Sequence, residues 1–207
     1  MRPLPRLHAV TDGTVLAAED FPVRAAAIAA AGPAVALHAR DRSAGGAALA
    51  RVAQRLLALA RPPEAAVVVS GRPDVAEAVG AQGVQLGTGD LGPADARRTF
   101  PSGWIGRSVH SAEEAEAAAR EGADYLLVGS IYETASHPGR PGAGLDLVRR
   151  TVRLGLPVIA IGGIDAARAA AVRDEGAYGV AAISALWWAA DPAAAALGLL
   201  APWSEGL

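Results

Sequence analysis

Short apolar runs alternate along the chain with longer helix-prone stretches, and a glycine, a proline or a polar capping residue marks most of the changes. The short runs are "LHAVT" from Leu7, "AVALHAR" from Ala34, "AAVVVSG" from Ala65, "GVQLGT" from Gly83, "WIGRSVH" from Trp104, "YLLVGSIY" from Tyr125, "PVIAIGG" from Pro157 and "GVAAISA" from Gly179. Their richness in Val, Ile and Leu predicts strands buried on both faces, as in a parallel sheet. Helices are predicted over 21–32, 46–61, 73–80, 93–100, 111–122, 144–155, 165–176 and 191–200. Asp165 stands before one of them as a capping residue, and Gly122, Gly155 and Gly176 end three others.

Eight strand and helix pairs in 207 residues leave about 26 residues for each, close to a minimal βα unit. The prediction is a compact (β/α)8 TIM barrel, with residues 1–207 as a single domain. A doubly wound open sheet shows the same alternation, but no dinucleotide glycine fingerprint follows the first strand. In a barrel, ligands bind at the C-terminal strand ends. Those ends carry Thr11 and Asp12, His38 and Arg40, Ser70, Thr88 and Asp90, Ser108 and His110, Thr134 with Ser136 and His137, Gly162 and Gly163, and Ser184.

Composition narrows the partner. With 19 basic against 21 acidic residues and a formal charge of −2, nothing draws the chain to nucleic acid or to an anionic membrane, so a small molecule is expected. Cysteine is absent, which excludes disulfides, thiolate catalysis and cysteine-ligated metal and agrees with a cytoplasmic setting. Lysine is absent too, and arginine cannot supply the neutral amine that Schiff-base chemistry needs. No signal h-region or membrane-spanning run is read.

Ser111 with Glu114 fits a capping box, so His110 is the residue before a helix, at the predicted mouth. An imidazole there suits a general acid/base, and a structural bond to a loop carbonyl is the other reading. "AIGGI" from Ala160 and "AAISA" from Ala181, which includes Ile183 and Ser184, close the barrel. Paired glycines bring backbone N–H groups close to an anion at a helix start, which points to phosphate, with a plain tight turn as the alternative. "YETASHPGRPGAG" from Tyr132 is the longest polar connection, and Thr134, Ser136, His137 and Arg140 are its candidate anion contacts. Asp90 suits a metal ligand or a helix cap. Trp187 and Trp188 read as packing or subunit contacts, and a homodimer is expected if they lie on an apolar surface.

Together, "VTD" at the first strand end, "GVQLGTGDL", "GRSVHS" with "GADYLLVGSIYET", "PVIAIGGI" and "GVAAISAL" resemble the thiamine phosphate synthase superfamily of phosphate-binding barrels, over about Leu7 to Pro192. The resemblance implies one of two activities. A synthase joins a pyrimidine pyrophosphate to a thiazole phosphate with Mg²⁺, whereas the TenI branch, thiazole tautomerase, moves a proton to aromatise a carboxylated thiazole phosphate without metal. The synthase pattern has an arginine and a lysine where this chain has His38 and Arg40, "ND" where it has Ser70 and Gly71, and a lysine where it has His137. Asp90 still matches a magnesium-ligating aspartate. These departures favour the tautomerase, an isomerase with no cofactor: His110 carries the proton, His38 or Arg40 orients the carboxylate, and Gly162, Gly163 and Ser184 hold the phosphate. The Mg-dependent synthase, using Arg40 and Asp90, is the alternative, followed by a thiazole phosphate-binding protein without catalysis.

Overall fold

The computed structural model describes residues 3–61, 64–134, 139 and 141–206. Eight strands form the centre: β1 (Leu7–Val10), β2 (Val35–Ala39), β3 (Ala66–Ser70), β4 (Gly83–Leu86), β5 (Trp104–Val109), β6 (Tyr125–Val128), β7 (Val158–Ile161) and β8 (Gly179–Ala182). Each pairs in parallel with the next, and β8 pairs back to β1, so the sheet closes in sequence order. Around it run α1 (Gly13–Ala17), α2 (Phe21–Ala29), α3 (Gly46–Ala60), α4 (Pro73–Val79), α5 (Pro93–Thr99), α6 (Ala112–Arg120), α7 (Leu145–Val152), α8 (Ala166–Asp174), α9 (Ser184–Trp187) and α10 (Pro192–Leu200), then a 3₁₀ turn over Ala201–Gly206. The expected (β/α)8 barrel is the observed one.

All eight predicted strands and all eight predicted helices form. Two short helices, α1 and α9, are additional, because four or five residues are too few to show a helical period. "YLLVGSIY" ends as a strand at Val128 rather than continuing to Tyr132. At Gly129 the chain passes so close to β7 that a Cβ would strike the carbonyl oxygen of Ile161.

Two apolar layers result from the period of two along each strand. Leu7, Leu37, Val67, Val84, Leu126 and Val158 pack outward against the helices. Val10, Ala36, Val68, Trp104, Tyr125 and Ile159 fill the barrel itself. The same alternation gives His38 and Arg40, Ser70, and Ser108 and His110 the inward register, so β2, β3 and β5 each carry a polar residue toward the mouth. Trp187 is fully buried: its indole N–H donates to the Val10 carbonyl at 2.8 Å and its ring stacks on Phe21. It is a packing residue, and of the two tryptophans only Trp188 reaches the surface. Among the described residues no helix is long and apolar enough to cross a membrane.

Candidate active site

The β1 and β2 ends are tied together by one hydroxyl. Thr11 Oγ1 accepts the Arg40 N–H at 2.9 Å and lies within donating distance of the carbonyls of His38 (2.8 Å) and Arg40 (3.0 Å). This fixes where Arg40 leaves the strand. Its guanidinium is half-buried and makes no ion pair with the described residues. Partial burial, and then the nearby Arg42, push its pKa down, with Asp12 and Asp41 opposing. A desolvated cation without a partner is a poised anion site.

Beneath Arg40 a few buried polar side chains stand among the apolar ones that fill the barrel. His8 Nε2 lies 3.0 Å from the Pro5 carbonyl, which only accepts, so Nε2 carries the proton. In the neutral ring Nδ1 is then bare and accepts from His38 Nε2 at 2.7 Å. That assigns both tautomers and leaves His38 Nδ1 as a buried acceptor without a partner among the described residues. Burial pushes the pKa of His8 down to about 4 and that of His38 well below its ordinary range. The Ser70 and Tyr125 hydroxyls and Gln85 Oε1 are also buried and unpartnered among the described residues, while Gln85 Nε2 donates to Ser108 at 3.0 Å. Ser70 and Gln85 are register partners on β3 and β4. Gly106 makes room for this group, since a Cβ there would overlap the Tyr125 ring and Gln85 Oε1.

Asp90 stands in the exposed turn after β4. Its Oδ2 accepts the Gly87 N–H at 2.6 Å, so it caps its own turn rather than α5. A Cβ on Gly71 would lie 3.2 Å from both carboxylate oxygens, which places the β3 and β4 loops face to face. Arg107 buttresses the β4 loop, donating to the carbonyl of Leu91 at 3.0 Å and lying 3.4 Å from that of Thr88. The described residues hold no group of three or more His, Asp or Glu side chains placed for one metal ion. Asp90 fits Mg²⁺ in the sparser of its usual arrangements, one carboxylate completed by substrate phosphate oxygens.

On the far side of the mouth, Gly162 and Gly163 follow β7 with φ of 106° and 63°. Both are glycines for a packing reason as well. Cβ atoms there would come within 2.6 Å of Ser130 and 2.7 Å of the Glu133 carbonyl, so the β6 loop rests directly on this turn. Ile183 and Ser184 follow β8, which pairs with β7 through Ile161 and Ala181, so the two turns are neighbours. Thr134, beyond Tyr132, keeps a buried hydroxyl without a partner among the described residues. Ser136, His137 and Arg140 lie outside the described residues.

His110 is at the mouth, with its side chain 58% exposed. Glu114 accepts from its backbone N–H at 2.7 Å and lies 3.3 Å from Nδ1, while Ser111 Oγ accepts the Glu114 N–H at 3.2 Å. The predicted cap forms, except that Glu114 reaches back to His110 instead of to Ser111. Sequence reasoning missed the interior roles of His8, Gln85 and Tyr125, because single polar residues inside apolar runs carry no periodic signal. It also missed Arg168, whose guanidinium donates to the Gly163 carbonyl at 2.6 Å. A cleft of about 370 Å³ lined by Gln82, Phe100 and Trp104 opens beside the starts of β4 and β5, the opposite end from these groups.

Fold and site define a (β/α)8 barrel with a polar mouth, the half-buried guanidinium of Arg40 at one edge and a paired-glycine turn at the other. The chain belongs to the TMP-TENI family, described as thiamine monophosphate synthase, which it matches over residues 7–186. It is 46% identical over 148 residues to the thiamine-phosphate synthase of Thermus thermophilus, covering 70% of this chain and 71% of that one. It is 39% identical over 196 residues to that of Methanoregula boonei, covering 93% and 90%. The thiamine phosphate pyrophosphorylase structure from Pyrococcus furiosus superposes with a TM-score of 0.82 at 36% identity over 97% of this chain and 96% of that one.

These relatives overturn the expected tautomerase: the proteins similar to this chain across most of its length are named as thiamine-phosphate synthases or, for the solved structure, a thiamine phosphate pyrophosphorylase, which are transferases and not isomerases. The departures at His38, Ser70 and Gly71 do not separate this chain from the synthases it resembles. A guanidinium and a carboxylate both remain at the mouth, and the histidine at residue 38 is spent on a buried bond to His8. The proton transfer expected of His110 was a step of that tautomerase reaction.

Proposed function

We propose that this protein is a thiamine-phosphate synthase that joins a pyrimidine pyrophosphate to a thiazole phosphate and releases pyrophosphate. The observation that carries this reading is the half-buried guanidinium of Arg40, unpaired among the described residues and held by Thr11 on the same mouth as Asp90. As the bond to pyrophosphate breaks, negative charge grows on the leaving oxygens, and a fixed cation in a partly dry site stabilises that charge more than the ground state.

Asp90 would hold Mg²⁺ together with the pyrophosphate, and the ion would supply charge neutralisation for the leaving group. Arg40 binds and orients the pyrophosphate. The polar interior formed by His38, Ser70, Gln85 and Ser108 lies under the pyrimidine end, where neutral donors and acceptors suit an uncharged heteroaromatic ring. The amides of the turns at Gly162, Gly163, Ile183 and Ser184 receive the thiazole phosphate, with Thr134 beside them.

The test is magnesium-dependent formation of thiamine phosphate from the two precursors, followed by chromatography. Product that needs both precursors and Mg²⁺ supports the reading. No product at high enzyme concentration would end it.

A further inference from the structure

Arg168 lies in the first turn of α8, next to the paired-glycine turn. Its Nη1 donates to the Gly163 carbonyl at 2.6 Å, and its Cζ sits 4.6 Å from the centroid of the Tyr132 ring. Tyr132 in turn donates its backbone N–H to the Gly162 carbonyl at 3.0 Å. Both carbonyls of the turn are therefore held, one by the β6 loop and one by α8.

A planar trans peptide points its N–H opposite to its C=O. Holding the carbonyls of Gly162 and Gly163 thus directs the N–H groups of Gly163 and Ile164 away from the β6 loop and from Arg168. Neither amide has an acceptor among the described residues. Two free, consecutive amide donors form an anion-binding concavity. The backbone on its own would not keep them aimed, because glycine at both positions leaves φ unrestrained. The aromatic stack restricts the guanidinium as well, so its hydrogen bond is made at low entropic cost.

We propose that Arg168 is a positioning residue for phosphate recognition: through the Gly163 carbonyl and the Tyr132 ring it holds the glycine turn with its amides toward the phosphate group of the thiazole substrate, without itself acting as the ligand. This rests on the synthase reading only for the identity of the substrate. The pinned turn is a property of the chain.

Two exposed substitutions separate pinning from charge. Arg168→Met keeps an apolar stem against Tyr132 and removes the donor, whereas Arg168→Gln keeps a planar donor and removes the charge. With inorganic phosphate as the probe, followed by ³¹P NMR line broadening, the Met variant is expected to bind about 10-fold more weakly and the Gln variant within about 3-fold of wild type. In turnover, the Met variant raises KM for thiazole phosphate and leaves KM for the pyrimidine pyrophosphate unchanged, a split that general loosening of the fold would not produce. Equal phosphate binding by wild type and the Met variant would overturn the assignment, and so would a Gln variant as weak as Met, which would make the effect one of charge. A wild-type protein that binds no phosphate would bring down the phosphate site itself, a distinguishable result.

Discussion

His8 Nδ1 and His38 Nε2 meet at 2.7 Å inside the barrel, with neither ring accessible to solvent. The Pro5 carbonyl determines the protons of the whole chain of bonds: Nε2–H on His8, Nε2–H on His38 and a bare Nδ1 on His38. Long-range ¹H–¹⁵N spectra at pH 7 should show both rings neutral and in the Nε2–H form. A protonated Nδ1 on His38 would refute the assignment.

The same burial sets a pH dependence. Both histidines have folded pKa values below their unfolded value of about 6.5, with His8 at about 4. Between those values the unfolded chain binds protons that the folded chain refuses, so stability is full above pH 6.5 and falls as the pH drops toward 4. His8 by itself accounts for about 3 kcal/mol over that window. Urea melts at pH 7 and pH 5 measure it, and the His8→Phe/His38→Leu double variant should flatten the slope. An unchanged slope in that variant would assign the acid sensitivity to other groups.

Gly106 is where the barrel interior has no slack, since a Cβ meets both the Tyr125 ring and Gln85 Oε1. Gly106→Ala should cost about 2 kcal/mol or more through overpacking, read as a lower urea midpoint at constant slope. A wild-type midpoint would show that Tyr125 moves aside freely.

Thr11 supports Arg40 rather than touching substrate. Thr11→Val keeps the shape and removes the hydroxyl that takes the Arg40 N–H, so it should destabilise by about 1–3 kcal/mol. It should also raise KM for the pyrimidine pyrophosphate while leaving that for thiazole phosphate unchanged. Parallel changes in both constants would argue against a local role.

Arg40→Ala should lower kcat by about 10² or more, because the stabilisation it removes is largest in the transition state. Asp90→Asn should raise the Mg²⁺ concentration needed for half-maximal rate. Loss of neither activity nor magnesium response in these variants would place the chemistry elsewhere.

The barrel was legible in the sequence because a strand buried on both faces must be apolar along its length and every βα unit needs its own start and stop residues. Eight such units, each short, leave little choice of architecture. Thr11, Arg40, Asp90 and the Gly162–Gly163 pair were legible for the same reason: a strand's end is where its apolar run stops. What the pattern did not contain was partnership across the barrel. His8 and His38 are 30 residues apart, and Gly106 is a glycine only because Tyr125 and Gln85 lie over it. Arg168 reads as an ordinary exposed helix residue until α8 carries it to the Gly163 carbonyl. Local hydrophobic order fixes which elements form, while closure of the sheet brings distant side chains into contact, and only that closure decided which polar residues are buried, which are paired and which are left to meet a ligand.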